Sequence, residues 1–214
     1  MQRLSIVALV LALLAGCAQR WVPDEAQHRI SLLKGVVTEA DSSIYVVPFY
    51  TKGIIGSATY IGDGKFLTVS HVYRTGQQHR IAQKSGEYIA ERVNSDDGGR
   101  IVTVRIAAID GSPPYPATSL SRLPDVGARI KLVGMYYVKN RTEGWKVIEA
   151  RVVPTPDHLP ARYRTGRYFC VRTSGAGIKG MSGGAALSED GSLVGLMEAG
   201  IETGDGSDIL IVQD

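Results

Sequence analysis

From Ile44 onward, apolar residues recur at close to every second position in short runs, with turn residues between the runs. A period of two is the mark of half-buried strands. One strand is predicted over Gly56 to Ile61, a turn at Gly62-Asp63-Gly64-Lys65, and a second strand over Phe66 to Ser70. Asp63-Gly64 supplies the positive φ values that a tight hairpin requires. Val102, Val104 and Ile106 alternate with Thr103 and Arg105 in a further strand. The pattern continues through Ile130 and Leu132, Trp145 to Val153 and Tyr168 to Arg172. A hairpin then joins Ala185-Ala186-Leu187 to Leu193–Met197 across Glu189-Asp190-Gly191-Ser192, and Ile209 to Val212 is the last strand. Ser112-Pro113-Pro114-Tyr115-Pro116 fits neither a helix nor a central strand, so it reads as a linker. Outside the first twenty residues, the helical pattern is confined to the segment around Asp24 to Leu33, and no internal repeat is present. The class is all-β, consistent with two small antiparallel barrels.

Composition narrows the function classes. The 214 residues are 44% apolar and 21% charged, enough to bury a core. A formal charge of +3 without a basic run gives little support to nucleic-acid binding. The 25 glycines and 9 prolines match many turns and hence many short strands. Two cysteines cannot build a disulfide framework.

The first residues carry an address. Leu4 to Ala18 is uncharged and follows Arg3; it is about 15 residues long, short of the roughly 20 that a spanning helix needs. A positive start, a short apolar stretch and small residues form an export signal. Its end, Leu14-Ala15-Gly16-Cys17, resembles the lipobox of bacterial lipoproteins, whose cysteine is acylated and becomes the new N-terminus. The resemblance implies a lipidated Cys17, membrane attachment, and a mature chain whose charge falls to +2 with the loss of Arg3. Ala18, in place of a retention aspartate, points to the outer membrane, facing the periplasm. Cys170 then remains as a buried, inert strand residue.

Two motifs carry candidate chemistry. Thr68-Val69-Ser70-His71-Val72 sets a histidine at the end of a strand, and Gly180-Met181-Ser182-Gly183-Gly184 sets a serine among glycines. Such glycines let the backbone turn tightly, so that amide N–H groups and the hydroxyl converge on one carbonyl. His28, His79 and His158 lie in polar segments without metal-ligand spacing and are read as surface residues. No phosphate-binding loop or Cys/His cluster is present, so no cofactor and no metal is expected.

Together these stretches resemble the trypsin-like serine proteases, with a flavour of the bacterial HtrA-type branch, across roughly Ile44 to Val212. Gly56-Ser57-Ala58-Thr59-Tyr60-Ile61 is similar to the family's strand upstream of the catalytic histidine. Leu67 to Val72 is similar to the histidine segment itself, and Leu193 to Gly200 to the strand after the nucleophile. The resemblance implies two packed six-stranded antiparallel β-barrels and a serine endopeptidase acting on proteins or peptides. Because the sequence stops at Asp214, soon after the last strand, the PDZ domain that HtrA-type enzymes usually add is not expected. Residues 1–16 would be the signal, 17–43 a tether and 44–214 the protease domain. Within it, barrel one would span about 44–110, the linker 111–126 and barrel two about 127–214.

Carried over to this chain, Ser182 is the nucleophile, His71 the base, and the N–H groups of Gly180 and Ser182 the oxyanion hole. Glu198, Ala199 and Gly200 would pair with the substrate backbone as an added strand. Ala176, six residues before the nucleophile, would lie at the base of the primary pocket and favour a small or apolar side chain. The third member departs from the pattern. The family's aspartate would fall near Gly99 or Arg100, and the nearest carboxylates are Asp96 and Asp97. Asp97 is the expected partner of His71. Glu198 stands where the family usually has a serine bonded to that aspartate, so it could supply or supplement the carboxylate. The competing reading is a protease-fold binding lipoprotein that has lost catalysis.

Overall fold

The computed structural model describes residues 45–52, 54–83, 86–95, 99–109, 122–138, 141–157, 159, 163, 167–173, 180–203 and 206–213. The leader with Cys17, the tether, the helical pattern at Asp24 to Leu33, the Pro-rich linker core, His28, His158, Asp96, Asp97 and Ala176 lie outside these residues.

Among the described residues, twelve strands form two closed six-stranded antiparallel barrels. The first contains β1 (Val46–Thr51), β2 (Ile54–Gly62), β3 (Lys65–Val69), β4 (His79–Gln83), β5 (Gly86–Ser95) and β6 (Ile101–Arg105). Its order around the barrel is β1-β2-β3-β6-β5-β4, and β1 closes on β4 through Phe49 and Ile81. The second contains β7 (Arg129–Val138), β8 (Arg141–Val153), β9 (Arg167–Thr173), β10 (Ala185–Leu187), β11 (Leu193–Thr203) and β12 (Gly206–Gln213). Its order is β10-β11-β12-β9-β8-β7, closed by β10 on β7. The all-β, two-barrel expectation holds.

Alternation explains which side chains fill each barrel. Phe66 and Thr68 of β3 point inward, as do Val102 and Val104 of β6. The β2–β3 turn places Asp63 at φ 52° and Gly64 at φ 72°, the positive values foreseen for Asp63-Gly64. The core is continuous between the barrels: Val133, Ala185 and Leu196 from the second join Phe49, Phe66, Val69 and Val72 from the first.

Two strands, β4 and β5, have no counterpart in the hydrophobic pattern. β5 buries only Gly86 and Ala90, and its apolar Ile89 and Val93 are exposed. Its ladder bonds to β4 and β6 hold it in place instead. His79 corrects its reading as a surface residue: it opens β4 at 1% exposure, stacked between Phe49 and Tyr73.

Candidate active site

The cleft between the barrels is stitched by one serine. Ser57 of β2 donates its N–H to the Ser182 carbonyl (2.7 Å) and its hydroxyl to the Gly180 carbonyl (3.1 Å). Its Oγ accepts the Met135 N–H (2.9 Å), and its carbonyl accepts the Thr68 hydroxyl (2.8 Å). Thr59 donates to the Gly183 carbonyl at 3.1 Å. Barrel one therefore fixes the turn that carries Ser182.

That turn demands glycine. Gly183 has φ +83°, and a Cβ there would collide with the Ser57 carbonyl oxygen and with the Thr68 hydroxyl. Gly180 has φ +91°, a conformation that L side chains rarely adopt. Among the described residues, neither the Gly180 nor the Ser182 N–H donates to another backbone carbonyl. Two donors are thus left for a ligand oxygen at the position expected of an oxyanion hole.

His71 lies two residues beyond β3, in a turn closed by Val72 N–H and Tyr73 N–H on the Val69 carbonyl. Ser70 N–H is bonded to the Arg100 carbonyl (2.7 Å), which ties that turn to the start of β6. His71 Nδ1 lies 3.4 Å from Glu198 Oε1; the imidazole is 47% exposed and the carboxylate side chain 3%. Ser182 Oγ in turn reaches the Glu198 carbonyl oxygen at 3.4 Å.

A bulge in β11 aims Glu198. Met197 pairs with Ile211 and Ala199 with Leu210, so Glu198 is an extra residue opposite none. In a regular strand Met197 and Glu198 would face opposite sides. The bulge lets both be buried, Met197 in the second core and Glu198 against His71. Glu198 Oε2 has no hydrogen-bond partner among the described residues.

The position expected to hold an aspartate is occupied by the start of β6, where Arg100 turns its guanidinium onto Tyr163 (5.6 Å) and Tyr168 (6.0 Å). Sequence reasoning noted Arg100 only as the place where the aspartate was missing. Its aromatic partners lie at and before the start of β9, far along the chain, so no local pattern signals the contact.

β11 also changes its neighbours here. β10 pairs with it only as far as Leu196, while β12 continues alongside to Thr203. Met197 closes onto Gly183 and Gly184 by backbone bonds. Past Met197, and among the described residues, the edge of β11 at Ala199 and Gly200 has no strand on the Ser182 side. Cys170 is buried in β9.

The trypsin-like peptidase domain model matches residues 56–196, which contain His71, Ser182 and most of both barrels. The chain belongs to that family. Solved structures of similar fold include the Rv3671c protease of M. tuberculosis in its inactive form, at 17% identity and TM-score 0.61 over 78% of this chain and 82% of that one. The serine endoprotease from Yersinia pestis matches at 24% identity and TM-score 0.60, over 80% of this chain and 59% of that one. The HtrA-type protease AlgW, solved with a tripeptide, matches at 24% and 0.63, over 80% and 57%. At these identities the likeness is one of fold. No curated protein matches the sequence. Near the place where the family's aspartate would fall, this chain has Gly99 and Arg100, and a buried glutamate lies on the other barrel.

Proposed function

We propose that the protein is a serine endopeptidase whose nucleophile is Ser182, with His71 as general base and Glu198, rather than Asp97, as the carboxylate that orients the imidazole. The observation that carries the reading is the 3.4 Å approach of the buried Glu198 carboxylate to His71 Nδ1, on the residue whose carbonyl also holds Ser182 Oγ.

The chemistry follows from these roles. The Ser182 hydroxyl leaves its long contact with the Glu198 carbonyl and attacks the scissile carbonyl carbon while His71 Nε2 takes its proton. Glu198 accepts the Nδ1–H, fixes that tautomer and stabilises the imidazolium without itself being protonated. The Gly180 and Ser182 N–H groups stabilise the oxyanion, where one such donor is worth about 2.7–4 kcal/mol. His71 then returns its proton to the leaving amine. Water attacks the acyl-enzyme with the same histidine as base, freeing the acid product and Ser182. The peptide lies as an added strand along Ala199 and Gly200. The expectation that Ala176 lines the primary pocket carries with it a preference for a small or apolar side chain.

Its setting is proposed from the leader: acylation at Cys17 anchors the chain to the cell envelope, at the outer membrane facing the periplasm, with envelope proteins as substrates. Incorporation of a palmitate analogue into the wild-type chain and not into Cys17→Ser tests the anchor.

The activity is tested by treating the full chain in detergent with a fluorophosphonate and measuring intact mass, beside Ser182→Ala. One adduct, absent from Ser182→Ala, is expected. A folded wild-type chain that takes no adduct at any pH from about 6 to about 9, a range that spans the ordinary imidazole titration, would count against the peptidase and favour the binding module.

A further inference from the structure

We infer that Arg100, clamped over Tyr163 and Tyr168, forms a subsite that selects an acidic side chain on the peptide N-terminal to the scissile bond. The inference rests on the proposed course of the peptide along β11.

Three observations place a cation beside that course. The Arg100 carbonyl is bonded to Ser70 N–H, one residue from His71, so the start of β6 borders the site on the barrel-one side. The guanidinium lies 5.6 Å from the Tyr163 ring centre and 6.0 Å from that of Tyr168, which stand edge to face at 5.9 Å. Tyr163, with Leu159 and Cys170, forms a small apolar cluster against which Tyr168 and Ala199 pack. Ala199 is the residue at which the edge of β11 opens. The arginine is therefore held beside the cluster on which Ala199, at the open edge, packs.

The chemistry of the clamp names the ligand. Cation–π contact with the two rings holds the guanidinium and leaves N–H donors for another group. Among the described residues no carboxylate pairs with it. A planar fork of donors matches a carboxylate in a bidentate pair. In an extended peptide alternate side chains share a face. If the first residue before the scissile bond fills the primary pocket in barrel two, the second and fourth face the barrel-one wall and Arg100. Glu or Asp at one of those positions is the expected preference.

The test uses the full chain in detergent and peptides that differ only by Glu or Gln at the second, third or fourth position before the bond. Turnover is read with the wild type and binding with Ser182→Ala, so that a chain unable to cleave still reports its preference. Glu is expected to exceed Gln by about 10-fold or more at the second or fourth position, and the ratio to shrink as salt is raised. Arg100→Gln should bring the ratio close to one, and Arg100→Glu should turn it toward Lys. An unchanged ratio in Arg100→Gln, a wild type indifferent to charge at these positions, or no peptide binding to folded Ser182→Ala overturns the inference. Loss of turnover with the binding preference intact would instead count against the catalytic reading alone.

Discussion

At the scale of single residues, the site turns on an exchange of charge between two positions. Arg100 lies near the place where the family's aspartate would fall, and Glu198 stands where a neutral hydroxyl was expected. Among the described residues, the carboxylate at the imidazole comes from barrel two. Glu198→Gln should lower kcat by about 10³–10⁴, the cost of an imidazole with the wrong tautomer, while KM stays within about 3-fold. Steady-state kinetics on a peptide substrate check this. Thermal stability separates it from unfolding, because replacing a buried carboxylate whose second oxygen is unpaired should hold or raise Tm. Glu198→Asp, one methylene shorter, should keep part of the rate. Gly183 offers a second prediction of opposite kind. Gly183→Ala puts a methyl group into the Ser57 carbonyl at φ +83° and should cost at least about 3 kcal/mol. Denaturant unfolding would show it, with fluorophosphonate labelling lost in parallel.

At the scale of elements, the turn after β3 is held by a histidine that does no chemistry. His79 Nε2 accepts the Arg74 N–H at 2.9 Å, and the ring lies between Tyr73 (4.1 Å) and Phe49 (5.3 Å). Burial pushes its pKa below the ordinary 6.5, against a smaller opposing effect from a hydrogen bond to the Gln77 backbone. The depressed value means that the folded chain favours the neutral ring. The contribution to stability is present above about pH 6.5 and is lost as pH falls through the folded-state pKa, because the unfolded chain takes the proton first. Tm should therefore fall on acidification from about pH 7.5 to about pH 5 more steeply in the wild type than in His79→Phe, which keeps the stack but cannot titrate. Equal acid slopes in the two proteins would refute the assignment. The same element shows why this part of the fold was hard to read. His79 follows two glutamines and looks solvated in one dimension; only the closure of β1 on β4 brings Phe49 across it. β5 is similar, since a strand with two outward apolar residues and charges between them has no period to detect. The strands that bury one regular face were legible, as were His71 and the glycine-framed Ser182. Glu198 was visible as a misplaced acid, but its direction depends on a bulge defined by pairing with β12, which no local pattern encodes.

At the scale of the whole molecule, catalytic geometry and barrel packing depend on the same atoms. Every polar group of Ser57 is engaged, and its hydroxyl and N–H reach the turn that bears Ser182. Separation of the barrels would break the His71–Glu198 pair and release the Gly180 carbonyl together, so the site forms only when the barrels are seated. Ser57→Ala removes the hydroxyl and strands the Met135 N–H and the Gly180 carbonyl in a buried seam. Each orphaned group costs about 1–3 kcal/mol. At about 2–4 °C per kcal/mol for a chain of this size, Tm should drop by at least about 4 °C. Labelling by a fluorophosphonate should also slow below the new Tm, because the turn presenting the Gly180 and Ser182 N–H groups has lost an anchor. Thr59→Val serves as the comparison, since it removes only the bond to the Gly183 carbonyl. If Ser57→Ala lost stability but labelled at the wild-type rate, the seam would hold the barrels together without setting the oxyanion turn.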